Sequence, residues 1–148
     1  MMRPSDFREQ TTVIDQLTDY VTKSFGLIVV DTVTSIYRLK VAESPSKTFE
    51  LNRELNRQLA NLAQVAKTQK IAVLVTSQVH SALDKVPVSV EPVATRVLKF
   101  WADTVIAMKP TENSQVIKLI LEKSPAKLQP ITYSLRIEET GIREYSVH

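Results

Sequence analysis

The 148 residues carry 43% apolar and 24% charged side chains and a formal net charge of +3, enough for one domain with a real core and too mild a charge to argue nucleic-acid binding from the total. Cysteine is absent and histidine occurs twice, at His80 and His148, which removes disulfides, thiolate zinc and thiol nucleophiles and leaves no His-rich metal motif. Gly26 and Gly141 are the two glycines, so neither the dinucleotide fingerprint nor a phosphate-binding P-loop can be written in this chain.

Asp6, followed three residues later by Glu9, reads as an N-cap with its reciprocal partner. Phe7, Ile14, Leu17 and Val21 then fall at helical spacing, and Gly26 stands as the C-terminal cap, so a helix is expected to end near Ser24. Leu27–Asp31 is a short apolar run without alternation, expected as a parallel strand buried on both faces. Residues 32–47 are polar and mixed and read as a long loop, with Ser44-Pro45-Ser46 as its turn. Thr48 to Thr68 is the clearest helix, carrying Leu51, Leu55, Leu59, Leu62 and Val65 on one face. Ile71–Thr76 repeats the strand pattern, giving a strand–helix–strand crossover and an α/β fold with a parallel sheet.

His80 to Pro92 reads as a second long loop, and a short helix is expected around Thr95 to Trp101. Asp103–Met108 follows as a third strand. Val116–Leu121 and Ile131–Ile137 alternate, which suggests an antiparallel extension with Ser124-Pro125 in the turn between them. Without repeats or a low-complexity linker, residues 1–148 are expected to form one domain. No apolar run approaches the ~20 residues of a membrane span, and the N-terminus lacks the apolar stretch of a signal peptide; the expectation is a cytoplasmic protein with no membrane partner.

Asp31 stands at the carboxyl end of a strand, the edge where open α/β sheets bind ligands and where a nucleotide hydrolase places a carboxylate for magnesium; capping the following turn is the competing role. Gln78 sits likewise just past the second strand, able to sense a phosphate or position water, or simply to satisfy backbone groups. Arg38, Lys40 and Lys47 in the first long segment and Lys85 in the second, with Arg96 just beyond it, suit a phosphate backbone. Glu43 and Asp84 are interspersed, so scattered solvated charge remains an alternative. Phe100 and Trp101 read as core anchors rather than base-stacking platforms. No serine has a triad partner, and Glu138 and Glu139 fall in a turn, so no hydrolase site is legible.

Leu27-Ile28-Val29-Val30-Asp31-Thr32-Val33-Thr34-Ser35-Ile36-Tyr37-Arg38 resembles the Walker B strand and following segment of RecA-superfamily recombinases of the archaeal RadB and RadA kind. Leu51–Leu59 is similar to the helix after that family's first DNA loop, Ile71–Val79 to its next strand with the switch glutamine, and Val97–Trp101 to the segment closing the second loop. Glu122-Lys123-Ser124-Pro125 looks like the stretch that reaches a neighbouring subunit's nucleotide, and Glu139-Thr140-Gly141-Ile142 like the family's C-terminal end. The resemblance covers nearly the whole chain, with five motifs in order.

It implies a RecA-like, mainly parallel sheet flanked by helices, and ATP and magnesium as cofactors. Asp31 would support the metal, and Gln78, the residue it assigns to catalysis, would couple nucleotide state to the second loop. Arg38, Lys40 and the segment 80–94 would face DNA, and Lys123, Ser124 and Pro125 would cap ATP on an adjacent protomer. The chain departs from the pattern at Val93-Ala94, where many relatives have a glycine pair. The family's P-loop, its lysine and its catalytic glutamate precede the segment at Pro4–Phe7 with which this sequence starts. The expectation is therefore a fold with unpaired strand edges, an exposed apolar face and no autonomous ATP hydrolysis. A truncated gene product, an expressed fragment or completion by a P-loop-bearing partner would each account for it. The functions implied are DNA repair and homologous recombination or, alternatively, a nucleotide-independent accessory paralogue docking onto a complete recombinase; another RecA-like ATPase with a role outside recombination is a third.

Overall fold

A computed structural model describes residues 1–22, 24–78, 90–126 and 131–145. The chain divides into two compact units, Met1–Trp101 and Ala102–His148.

In the first unit, Asp6 caps α1 (Phe7–Asp15) by accepting the Glu9 N–H at 2.8 Å, while the Glu9 carboxylate accepts the Ser5 N–H at 2.7 Å and the Ser5 hydroxyl at 2.6 Å. The reciprocal arm of the cap thus reaches one residue further back than the spacing suggests. The helix breaks at Gln16 and ends after one more turn, α2 (Leu17–Tyr20), short of the expected Ser24. Gly26 is no cap: the last helical turn closes at Val21, whose N–H donates to the Leu17 carbonyl, and the Gly26 carbonyl instead accepts the Ala72 N–H across the sheet at 3.2 Å. Strand β1 (Leu27–Val30) follows, and the supposed loop after it is helical: α3 (Ser35–Glu43), then a 3-10 turn at Pro45–Lys47. The signal is there in Tyr37 and Val41, four apart and both buried, but only those two apolar positions reach the core and the polar remainder hides them.

Helix α4 (Thr48–Gln69) runs as its periodicity requires and stops at Lys70 in the left-handed region (φ 54°). Strand β2 (Ala72–Val75) pairs parallel with β1 in the register Leu27↔Ala72 to Val30↔Val75. Helix α5 (Val90–Trp101) starts five residues earlier than expected; its Pro92 lies in the first turn, where a missing N–H costs nothing. The core joins Phe7, Ile14, Val33, Tyr37, Val41, Leu55, Leu59, Leu62 and Ala94, with the Phe7 and Tyr37 rings 5.9 Å apart. Val30, Val73 and Val75 pack on it. Leu27, Val29 and Leu74 point the other way and are 51%, 54% and 53% exposed, so these strands are covered on one face, not two. An unbroken apolar run records that both faces suit burial, not that both are buried. Trp101 packs against the core, but Phe100, expected as an anchor beside it, is 71% exposed, since neighbours on a helix point about 100° apart.

The second unit is an antiparallel sheet in sequential order, β3 (Val105–Pro110), β4 (Val116–Lys123), β5 (Ile131–Glu138) and β6 (Gly141–Glu144). β3 therefore belongs to this sheet rather than to the parallel pair. Gly141, at φ 129°, supplies a backbone conformation at the β5–β6 turn that other residues rarely adopt. Cross-strand pairs share a face: Met108, Leu119 and Tyr133 line one, and the directly opposed pairs Lys109↔Lys118 and Arg136↔Arg143 line the other. Arg136 also lies over the Tyr145 ring, 4.7 Å from its centre.

Candidate nucleotide and nucleic-acid site

The site grows from the carboxyl ends of β1 and β2. Because the strands run parallel and end level at Val30 and Val75, the segments leaving them emerge side by side. The Thr76 N–H donates to the Val30 carbonyl (3.0 Å) and the Val33 N–H to the Thr76 carbonyl (3.2 Å), stitching the two exits together. The Thr76 hydroxyl donates to the Asp31 carboxylate at 2.5 Å, and the Thr34 and Ser77 hydroxyls share a hydrogen bond of 2.9 Å. The Asp31–Thr32 peptide is cis. From α3, Arg38 Nη1 donates to the Gln78 main-chain carbonyl at 3.1 Å. Thr34, Arg38, Ser77, Gln78, Ala94 and Thr95 line a small crevice there.

A polar scaffold fixes this edge from beneath. The Gln10 amide donates to the Val33 carbonyl (3.0 Å) and to Gln58 Oε1 (2.8 Å), and Gln58 Nε2 donates to the Thr11 hydroxyl (2.7 Å). Gln10 and Gln58 are 4% and 0% exposed, so each bond replaces one that water would otherwise make. At the rim, Arg57 binds Asp15 with both terminal nitrogens (2.9 and 3.0 Å) and reaches Glu54 at 2.7 Å. The Arg57 hydrogen bonds, helped by Thr11, hold the Glu54 carboxyl below the usual carboxylate range, while Glu54 and then Asp15 push the guanidinium's pKa up. Burial raises the Tyr37 phenol, whose hydroxyl donates to Asn52.

Of the residues singled out from sequence, Asp31, Arg38 and Gln78 come together at this edge. Asp31 and Gln78 are exposed and Arg38 is half-buried. Lys40 projects from α3 in an exposed pair with Glu43 (3.0 Å); Lys47 and Arg96 are exposed on the 3-10 turn and α5. Lys85, with most of the segment 80–94, lies outside the described residues. In the second unit, Lys123 donates to the Ala102 carbonyl at 2.5 Å, the Ser124 hydroxyl accepts the Ala126 N–H at 3.3 Å, and Pro125 sits exposed in the turn. Sequence reasoning passes over Thr34, Thr76 and Ser77. Their signal is available: small hydroxyl residues placed directly after an apolar strand, where they bind each other and the carboxylate across the exit.

Magnesium keeps several waters and takes one or two carboxylates together with phosphate oxygens. Asp31, exposed and oriented by Thr76, fits as one such carboxylate. Among the described residues no group of three or more His, Cys, Asp and Glu side chains is placed to hold an ion, so a nucleotide or another segment has to supply the remaining ligands. Nor, among these residues, is any helix long and apolar enough to cross a membrane.

A family model described as Rad51 matches residues 2–145. The "DNA repair and recombination protein RadB" of Methanococcus maripaludis is 31% identical over 139 residues, 94% of this chain and 61% of the relative. The protein of the same name from Thermococcus kodakarensis is 31% identical over 144 residues, 97% of this chain and 62% of that one. The chain thus spans about three fifths of the length of these curated relatives. A solved structure described as "Crystal structure of the RadB recombinase" superposes with a TM-score of 0.70 at 26% identity, covering 98% of this chain and 63% of the other. The architecture of a parallel pair flanked by helices, with an antiparallel four-stranded sheet, is that of a RecA-like fold.

Proposed function

The chain belongs to the Rad51 family, and from that membership we propose that it works in DNA repair and recombination as a RadB-type protein. The observation that carries the reading is the convergence of Asp31, Thr76 and Gln78 on one sheet edge, at the positions where the resemblance places magnesium and the switch glutamine. In this reading Asp31 holds magnesium, whose charge offsets that of the nucleotide phosphates, and Gln78 senses their presence. Thr76 fixes the carboxylate's orientation, which spares Asp31 an ordering cost when the ion binds. Lys123, Ser124 and Pro125 cap ATP on an adjacent protomer. Lys40, Lys47, Lys85 and Arg96 contact the phosphodiester backbone, with recombinase protomers as the protein partners.

The test is the affinity for single-stranded DNA as a function of salt. Each phosphate contact contributes a slope of about −0.7 in log K against log salt, so Lys40→Ala/Lys47→Ala/Arg96→Ala is expected to flatten the slope by about 2. No binding at low salt would overturn the reading. A second reading, an accessory protein that docks onto a complete recombinase without binding DNA, draws on the open sheet face at Leu27, Val29 and Leu74. Stable co-purification with a P-loop-bearing recombinase, without DNA affinity of its own, would favour it.

A further inference from the structure

Arg38 reads from sequence as a cation for DNA, yet its guanidinium turns inward. Nη1 lies 3.1 Å from the Gln78 carbonyl, and the side chain, half-buried, lines the same crevice as Thr34, Ser77 and Thr95. One turn earlier, Thr34, 1% exposed, is joined to Ser77 at 2.9 Å. Two consecutive residues leaving β2 are therefore clasped by two residues one helical turn apart at the start of α3. The lower half of the clasp is anchored in turn, since Gln10 holds the Val33 carbonyl and Tyr37, fully buried, fixes the helix against Phe7. The Arg38 bond is the exposed half of the clasp, so a shift of the Gln78 main chain acts on α3 at Arg38, beyond the buried anchor.

We propose that Arg38 is a positioning residue that couples Gln78 to α3, so that a displacement of the glutamine by a phosphate at the sheet edge is passed to the helix bearing Lys40. The proposal deepens the recombinase reading and rests on it for the identity of the signal, but the clasp itself is measurable without DNA. A guanidinium suits such a coupling because its planar fork donates to a carbonyl in a fixed direction while its charge stays partly solvated, which an ammonium on a flexible stem does not reproduce.

The full chain carries the experiment, with Arg38→Ala, Arg38→Lys and Ser77→Ala compared by NMR and by salt-dependent affinity for a single-stranded oligonucleotide. The expected result is that both Arg38 variants shift the Gln78 carbonyl-carbon resonance and speed amide exchange at residues 76–78 and in the first turn of α3 by about tenfold. The DNA salt slope stays unchanged, and lysine does not rescue. Ser77→Ala, which removes only the Thr34 bond, is expected to speed exchange in the same two segments to a smaller degree, and it keeps the test standing if Arg38→Ala unfolds. An unmoved Gln78 resonance, with a slope flattened by about 0.7 in Arg38→Ala and restored in Arg38→Lys, would make Arg38 a phosphate contact and overturn the proposal. If the wild-type chain binds no DNA at any salt, the recombinase reading fails, while the Gln78 resonance still decides the clasp.

Discussion

Gln58 has no exposure to water, and its amide oxygen accepts from Gln10 while its amide nitrogen donates to Thr11. Gln58→Leu would fill the space but strand both partners, so it is expected to cost about 2–3 kcal/mol in urea unfolding; a double-mutant cycle with Gln10→Leu should recover part of that loss, because the paired amides vanish together. Glu54 sets a pH dependence. Its folded-state pKa lies below the ordinary value because Arg57 hydrogen-bonds the ionised form, so its contribution is complete above pH 4.5 and is lost as pH falls through the lowered value. Glu54→Gln is expected to flatten the acid limb of the stability profile below pH 4.5 by up to about 1 kcal/mol, the pair being only partly shielded from water. Neither glutamine is legible in the sequence, since nothing in a polar residue's type says that a second amide waits 48 positions away. Asp31 is legible, because a carboxylate ending an apolar run has few other places to be.

At the scale of elements, legibility follows the strength of the apolar pattern. α4 presents five leucine and valine positions on one face, and its bounds agree with the periodicity to within a residue. α3 commits only Tyr37 and Val41 fully to the core and reads as loop. The start of α5 escapes the sequence because Pro92 argues for a turn unless its place in a first turn is known. α4 also ends at a cost: Lys70 occupies the left-handed region, with Ile71 N–H returning to the Ala66 carbonyl at 3.2 Å. Lys70→Gly keeps that geometry without a crowded Cβ and is expected to stabilise the chain by about 0.5–1 kcal/mol, read as a raised thermal midpoint.

On the scale of the whole molecule, the α/β class and the sheet edge that gathers the site are both available from the order of the elements. What the order cannot give is which apolar faces find cover within the chain. Leu27, Val29 and Leu74 form an open strip on the parallel pair, and strips of this kind drive association. Val29→Lys/Leu74→Glu, which sets opposite charges on directly opposed positions, is expected to leave the unfolding free energy within about 0.5 kcal/mol of wild type, as exposed positions do, while reducing concentration-dependent light scattering. An unchanged scattering profile would assign self-association to another surface.

The amide pair beneath the site also sets a timetable. Gln10 and Gln58 meet across 48 positions, and Gln10 reaches Val33 across 23, so these bonds can close only after α1, β1 and α4 have already docked. Contacts that form last are absent from the folding barrier. Removing them with Gln58→Leu should therefore leave the refolding rate nearly untouched and shorten the lifetime of the native chain, so that stopped-flow traces would show nearly the whole loss on the unfolding limb.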